Sequence, residues 1–131
     1  MSKPQRPLSP HLQVYRLKLH MVMSGLHRIT GLSLGVGAFV LAWWATALAT
    51  SEEYYEFFVS LMVHPIGRLV LFGFSFALIF HALNGIRHLL WDTGRGFEKE
   101  QVKTSGIIVI ILTIILTLAV WVLAYLQAGK I

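Results

Sequence analysis

Three long apolar runs limit what this chain can fold into. They cover residues 26–49, 67–90 and 105–126, and each is long enough to cross a hydrocarbon core of ~30 Å as a helix. Because the chain is 56% hydrophobic and only 13% charged, a water-soluble domain would have to bury all three runs at once. We therefore predict an all-α protein with three transmembrane helices that forms a single membrane-anchor domain over residues 1–131.

The segments outside these runs predict an arm and two loops. Residues 1–25 form a polar, proline-containing arm, which we expect to be mature protein because no clear cleavage site of a signal peptide follows. Glutamates and aromatic residues between 51 and 65 indicate a short interfacial helix, with Pro65 suited to the first turn of the next helix. Residues 97–103 are expected to form a charged loop.

Two of the runs differ in how they are expected to pack. The first contains Gly31 and Gly35, a spacing that lets a second helix approach closely. The third has Tyr125 as its single ionisable residue, so we expect it to face lipid or to serve in packing. The chain has no cysteine, which excludes disulfides and iron–sulfur ligation by this chain.

Lysine and arginine predict the orientation, because the cytoplasmic loops of membrane proteins are enriched in both. One side of the predicted spans carries Lys3, Arg6, Arg16, Lys18, Arg28, Arg87, Arg95, Lys99 and Lys103, and the other carries Arg68 and Lys130. We therefore expect the N-terminus inside and the C-terminus outside. The net charge is +5, and the basic residues are distributed according to this topology. We therefore expect contact with membrane lipids and no nucleic-acid partner.

A polar stripe near the inner end of the second run is the strongest functional signal. His81 and His88 are two helical turns apart and share a face, with Asn84 and Gly85 between them. An ionisable side chain at membrane depth costs about 2.5–3.5 kcal/mol on insertion scales, so such residues usually have a function. His27 enters the first run from the same side, and antiparallel neighbours would bring it to the same depth.

The residue types in this cluster suit a haem and a quinone. His81, the deeper histidine, is the better axial ligand for haem iron, and Gly85 leaves room for the porphyrin edge. Cations are needed at the anionic propionates, and His27, Arg28 and His88 are candidates. Ser24 and Arg28 lie one turn apart and are candidates for hydrogen bonds to a quinone headgroup. A second axial ligand would have to come from another subunit.

Structural roles remain open for each of these residues. His81 is alternatively a buried histidine hydrogen-bonded to another helix, and His27 and Arg28 are alternatively positive-inside anchors. For Arg87 and Asp92 we favour a role as anchors at the interface. His11, His20 and His64 are expected at the surface.

Three blocks of the sequence resemble the cytochrome b membrane-anchor subunit of succinate dehydrogenase, respiratory complex II. The blocks occur in the order and spacing of that family, the third is highly specific, and the resemblance extends over essentially the whole chain. They are RPLSPHLQVYR at Arg6–Arg16, SGLHRITG at Ser24–Gly31 and HALNGIRHLLWDTG at His81–Gly94.

The resemblance implies cofactors and site residues. It makes His81 the ligand of haem b from this chain, with the other ligand from a second small membrane-anchor subunit. It places His27 and Arg28 at the propionates, His88 near the haem, and Ser24 with Arg28 in the ubiquinone site. No residue of this chain alone would be catalytic.

The resemblance also implies partners and a location. The anchor would dock an iron–sulfur subunit through its N-terminal block, and a flavoprotein subunit through that one, so that electrons from succinate reach ubiquinone. We expect a multi-pass inner-membrane protein, in a bacterial cytoplasmic membrane rather than a mitochondrial one. A haem-free structural anchor and the anchor of a quinol:fumarate reductase are the alternatives.

Overall fold

The computed structural model describes residues 15–129, and this part consists of four helices without a strand. The helices α1, α3 and α4 are each long and apolar enough to cross a membrane, which confirms the predicted all-α architecture with three spans. In chain order the helices are α1 (Leu19–Thr50), α2 (Glu52–Val63), α3 (Pro65–Asp92) and α4 (Lys99–Gln127).

The helices extend beyond the predicted spans, which lie inside them. Helix α1 begins at Leu19, within the segment predicted as an arm, and α4 begins at Lys99, within the predicted charged loop. Hydropathy marks the part of a helix that suits lipid, whereas the backbone hydrogen bonds of the helix continue into the polar interface. Residues 1–14, which include His11 and most of the first sequence block, lie outside the described residues.

The short helix α2 lies between the first two long helices, as predicted. Ser51 is its N-cap, and the Ser51 side chain accepts a hydrogen bond from the Tyr54 backbone N–H at 3.2 Å. Pro65 occupies the first turn of α3, and the His64 side chain caps that helix by accepting from the Ile66 N–H at 3.4 Å. These caps fix a tight turn between α2 and α3.

Helix α3 packs against both α1 and α4, and each long helix contributes one residue to a small buried core of Met23, Phe80 and Val109. The close approach of α1 to α3 is at Gly37, where a Cβ would overlap the Phe74 ring. A Cβ at Gly35 would meet none of residues 15–129 within 4 Å. Within the described residues only Gly31 of the Gly31–Gly35 pair faces α3, so the approach of a second helix to both glycines stays a prediction.

Helix α4 presents one stripe of small and polar residues to the bundle. Val109, Thr113 and Thr117 are buried at a spacing of four, while most of the isoleucines and leucines around them are exposed. The two threonine hydroxyls donate to backbone carbonyls of their own helix at 2.7 Å. The third span thus has both predicted roles, packing on one face and an apolar surface suited to lipid on the other.

Candidate functional site

Helices α1 and α3 bring three histidines together near one end of the bundle. The rings of His27 and His81 are stacked, with centroids 4.0 Å apart and an angle of 8° between their planes. The ring of His88 lies 5.1 Å from that of His27, tilted by 50°. The structure therefore brings His27, His81 and His88 together, as the sequence predicted for these three residues.

The hydrogen bonds of His81 define which ring nitrogen carries its proton. Its Nδ1 lies 3.2 Å from the His27 carbonyl oxygen and 3.3 Å from Thr30 Oγ1. A carbonyl only accepts, and the one proton of the Thr30 hydroxyl is used at 2.8 Å on the Leu26 carbonyl. Nδ1 is therefore the donor, and a neutral His81 carries its lone pair on Nε2.

Open space at a glycine and a ring nitrogen without a hydrogen bond are found near the stacked pair. A Cβ at Gly85, one turn beyond His81, would meet no described residue within 4 Å. His27 Nδ1 is buried and has no hydrogen-bond partner among the described residues. Because the two stacked rings are nearly parallel, their in-plane nitrogens do not converge on one atom between them, so the pair does not form two opposite ligands of a single ion.

The predicted quinone residues lie on the same helix as His27. Ser24 and Arg28 are exposed and one turn apart on α1, with Arg28 directly following His27 in the chain. Both side chains are open to an incoming group rather than committed to packing inside the chain. His20 and His64 are exposed, as predicted, and Asp92 at the end of α3 is exposed as well.

Arg87 was predicted to anchor α3 at the interface, and that prediction was wrong. Its side chain is 5% exposed and connects α3 to α4, with Nε donating to Ser105 Oγ and Nη2 to the Val102 carbonyl, both at 2.8 Å. The guanidinium also lies 4.1 Å from the centre of the Trp91 ring. The cation is buried because it has hydrogen-bond partners on α4. These partners cannot be identified from the sequence of α3.

Thr30 is a residue of the cluster that the sequence reasoning missed. It is buried on α1, and its hydroxyl faces His81 on α3. Threonine is ordinary in membrane helices, so it carries no signal by itself. Its spacing of three from His27 was the one indication, since it places both residues on the same helical face.

Three helices long and apolar enough to span a membrane, with a histidine cluster at one end, define a multi-pass membrane protein. The family model for the succinate dehydrogenase/fumarate reductase transmembrane subunit matches residues 2–120. The chain belongs to this family.

Curated relatives agree with the family match. The chain is 37% identical to a succinate dehydrogenase cytochrome b556 subunit of Rickettsia felis, over 90% of this chain and 92% of the relative. It is 41% identical to the subunit of the same name from Paracoccus denitrificans, over 81% and 82%. It is 42% identical to the mitochondrial cytochrome b560 subunit of Sus scrofa, over 84% and 66%.

Proposed function

We propose that this chain is the haem b-binding membrane-anchor subunit of a succinate:ubiquinone oxidoreductase. The observation that carries the proposal is the hydrogen bond from His81 Nδ1 to the His27 carbonyl, which leaves Nε2 as the ligand atom. Histidines that ligate metals almost always donate their other ring N–H to a carbonyl, carboxylate or water. The relatives' names include cytochrome b, which supports a haem in this family.

The residues around His81 fit the haem. The space at Gly85 suits the edge of a flat macrocycle, and the orphaned His27 Nδ1 is suited to a hydrogen bond with an anionic propionate. Arg28, the next residue along α1, adds a cation, and His88 lies next to His27. When bound, haem b supplies a one-electron carrier. Since the stacked pair offers one free imidazole nitrogen to hold the haem iron, a further ligand would come from a partner membrane subunit.

Ser24 and Arg28 are proposed to bind ubiquinone, the substrate. Both are exposed on α1, where a hydroxyl and a guanidinium donate hydrogen bonds to a quinone oxygen. The guanidinium stabilises negative charge that develops on this oxygen during reduction. This chain positions the headgroup, and electrons from succinate arrive through the flavoprotein and iron–sulfur subunits. We propose that this quinone site lies near the inner face of the membrane, on the same side as the N-terminus.

An absorption difference spectrum tests the haem assignment. The purified complex is compared as wild type, His81→Ala and His64→Asn, the last of which removes an exposed imidazole but keeps an N-cap residue on α3. We expect a sharp b-type band in wild type and His64→Asn, and its loss or conversion in His81→Ala. A band that is identical in all three samples would refute His81 as ligand, and no band in any sample would favour a haem-free anchor.

A further inference from the structure

Asn84 connects a buried cation to a histidine of the proposed site. It is fully buried on α3, and Arg87 and His88 follow at three and four residues, on the same helical face. Arg87 Nη1 lies 3.3 Å from Asn84 Oδ1, and Asn84 Nδ2 lies 3.3 Å from His88 Nε2. The three side chains therefore form one continuous chain of hydrogen bonds.

The direction of these bonds follows from the donors available. A guanidinium has five N–H donors and no acceptor, so its partner on Asn84 has to be the amide oxygen. The amide nitrogen then faces His88, and an amide nitrogen only donates. Arg87 thus fixes which way the Asn84 amide points, a choice that is ambiguous for an isolated asparagine.

The same logic fixes the proton of His88. Its Nε2 has to accept the bond from Asn84 Nδ2, so this nitrogen carries the lone pair. A doubly protonated His88 would place an N–H against the N–H of the amide, which would cost the bond and leave the fully buried Asn84 amide N–H without this acceptor. His88 is therefore a neutral imidazole with its proton on Nδ1.

Arg87 is itself held in place from the other side. Its Nε and Nη2 donate to Ser105 and Val102 of α4, and its guanidinium stacks near Trp91. The Trp91 and His88 rings are also nearly perpendicular to each other, with centroids 4.9 Å apart and 80° between their planes. The contact between α3 and α4 is thus linked to the state of a histidine that faces α1.

We infer that Asn84 and Arg87 are positioning residues that hold His88 as a neutral donor through Nδ1. That this donor serves the haem site rests on the proposed function. His88 would then contribute a directed N–H rather than a positive charge, and the cations at the propionates would be limited to α1. The tautomer itself depends only on residues of this chain.

Nitrogen NMR on the ¹⁵N-histidine- and ¹⁵N-asparagine-labelled complex tests the inference. Protonated and unprotonated imidazole nitrogens have well-separated shifts, and Asn84 is the only asparagine of this chain. The correlation between an asparagine side-chain amide and a histidine ring nitrogen is assigned by its loss in His88→Gln and in Asn84→Asp. In wild type we expect Nε2 of His88 unprotonated and Nδ1 protonated at neutral pH.

Two variants distinguish an effect of the hydrogen bonds from Arg87 through Asn84 to His88 from an effect of packing alone. Asn84→Asp is nearly isosteric and replaces the amide donor by an acceptor, so we expect the proton of His88 to move to Nε2. Ser105→Ala loosens Arg87 from α4 but leaves its bond to Asn84, so the tautomer should stay as in wild type. A protonated Nε2 in wild type, no change in Asn84→Asp, or an equal change in Ser105→Ala would each overturn the inference. The absorption spectrum of the same samples reports separately on the haem.

Discussion

The imidazoles of His27 and His81 lie face to face, 4.0 Å apart, across the contact between the first and the third helix. The pair is possible because Gly31 of α1 has no side chain where the His81 ring sits. The stack places the backbone carbonyl of His27 within hydrogen-bond distance of His81 Nδ1. One helix therefore supplies both the space and the acceptor that orient the proposed ligand of the other.

Gly31→Ala should disturb this ligand directly. A Cβ at Gly31 would lie 3.0 Å from His81 Cε1, closer than ordinary van der Waals contact, so the ring has to shift. We expect an altered haem band or midpoint potential in an assembled complex, measured by redox titration of the absorption spectrum. Gly35→Ala is the matched control, because a Cβ there meets nothing within 4 Å. Equal spectra and potentials for both variants would contradict the proposed position of His81.

Thr30→Val should weaken the hold on His81 without changing the shape of the side chain. The variant removes the hydroxyl that accepts from His81 Nδ1 and leaves the His27 carbonyl as its single acceptor. Loss of such a supporting contact typically lowers metal affinity or activity by 10–100-fold, so we expect haem retention to fall by about 10-fold. The haem content of the complex, measured after successive washes with detergent, reports this retention. Thr30→Ser keeps the hydroxyl and should retain haem like wild type; similar loss from both variants would exclude the hydroxyl as the cause.

The three spans and the histidine cluster could be predicted because each depends on one-dimensional information. Apolar runs show the length of each span directly, and residues at the same end of antiparallel neighbours lie at a similar depth. The position of Arg87 could not be predicted, because its acceptors on α4 include a backbone carbonyl, which leaves no mark in the sequence. Its partner Ser105 looks like an ordinary residue at the start of an apolar run.

The extent of the helices was underestimated for a related reason. Hydropathy falls before Leu26, yet α1 begins at Leu19, and Leu19 packs against the core that Met23 and Val109 help to form. The predicted spans measure how much of each helix suits hydrocarbon. Where a helix starts depends also on side-chain contacts with its neighbours, which become visible only in three dimensions.

Arg87→Ala should destabilise the contact between α3 and α4. The change removes three hydrogen bonds of a buried cation, and Asn84 Oδ1 loses the donor that Arg87 provides. A buried polar group left unsatisfied costs about 1–3 kcal/mol, so we expect a loss of about 2–4 kcal/mol and a lower midpoint in thermal denaturation of the complex. Arg95→Ala, at an exposed arginine in the loop that follows, should leave the midpoint near that of wild type. Matching midpoints for the two variants would show that the network adds no stability.

Arg28→Ala tests the proposed quinone site separately from the haem. Arg28 is exposed on α1, so the substitution removes a donor without opening a cavity in the bundle. Loss of one donor to a developing negative charge typically costs 10²–10³ in rate, and we expect succinate-dependent ubiquinone reduction to fall by about 100-fold. The assay compares this rate with succinate-dependent reduction of a dye that accepts electrons before the membrane subunits.

The rates of quinone and dye reduction together distinguish a role of Arg28 in quinone binding from a role in assembly of the complex. Because the dye bypasses the membrane subunits, its reduction should be unchanged in Arg28→Ala, whereas a defect in assembly would lower both rates together. Arg28→Lys keeps the charge but loses the planar pair of donors, so quinone reduction should lie between wild type and the alanine variant. Ser24→Ala, one turn away, should lower quinone reduction less, because a neutral hydroxyl stabilises negative charge less than a guanidinium does. Unchanged quinone reduction in Arg28→Ala would place the quinone elsewhere and leave Arg28 as an anchor of α1 at the interface.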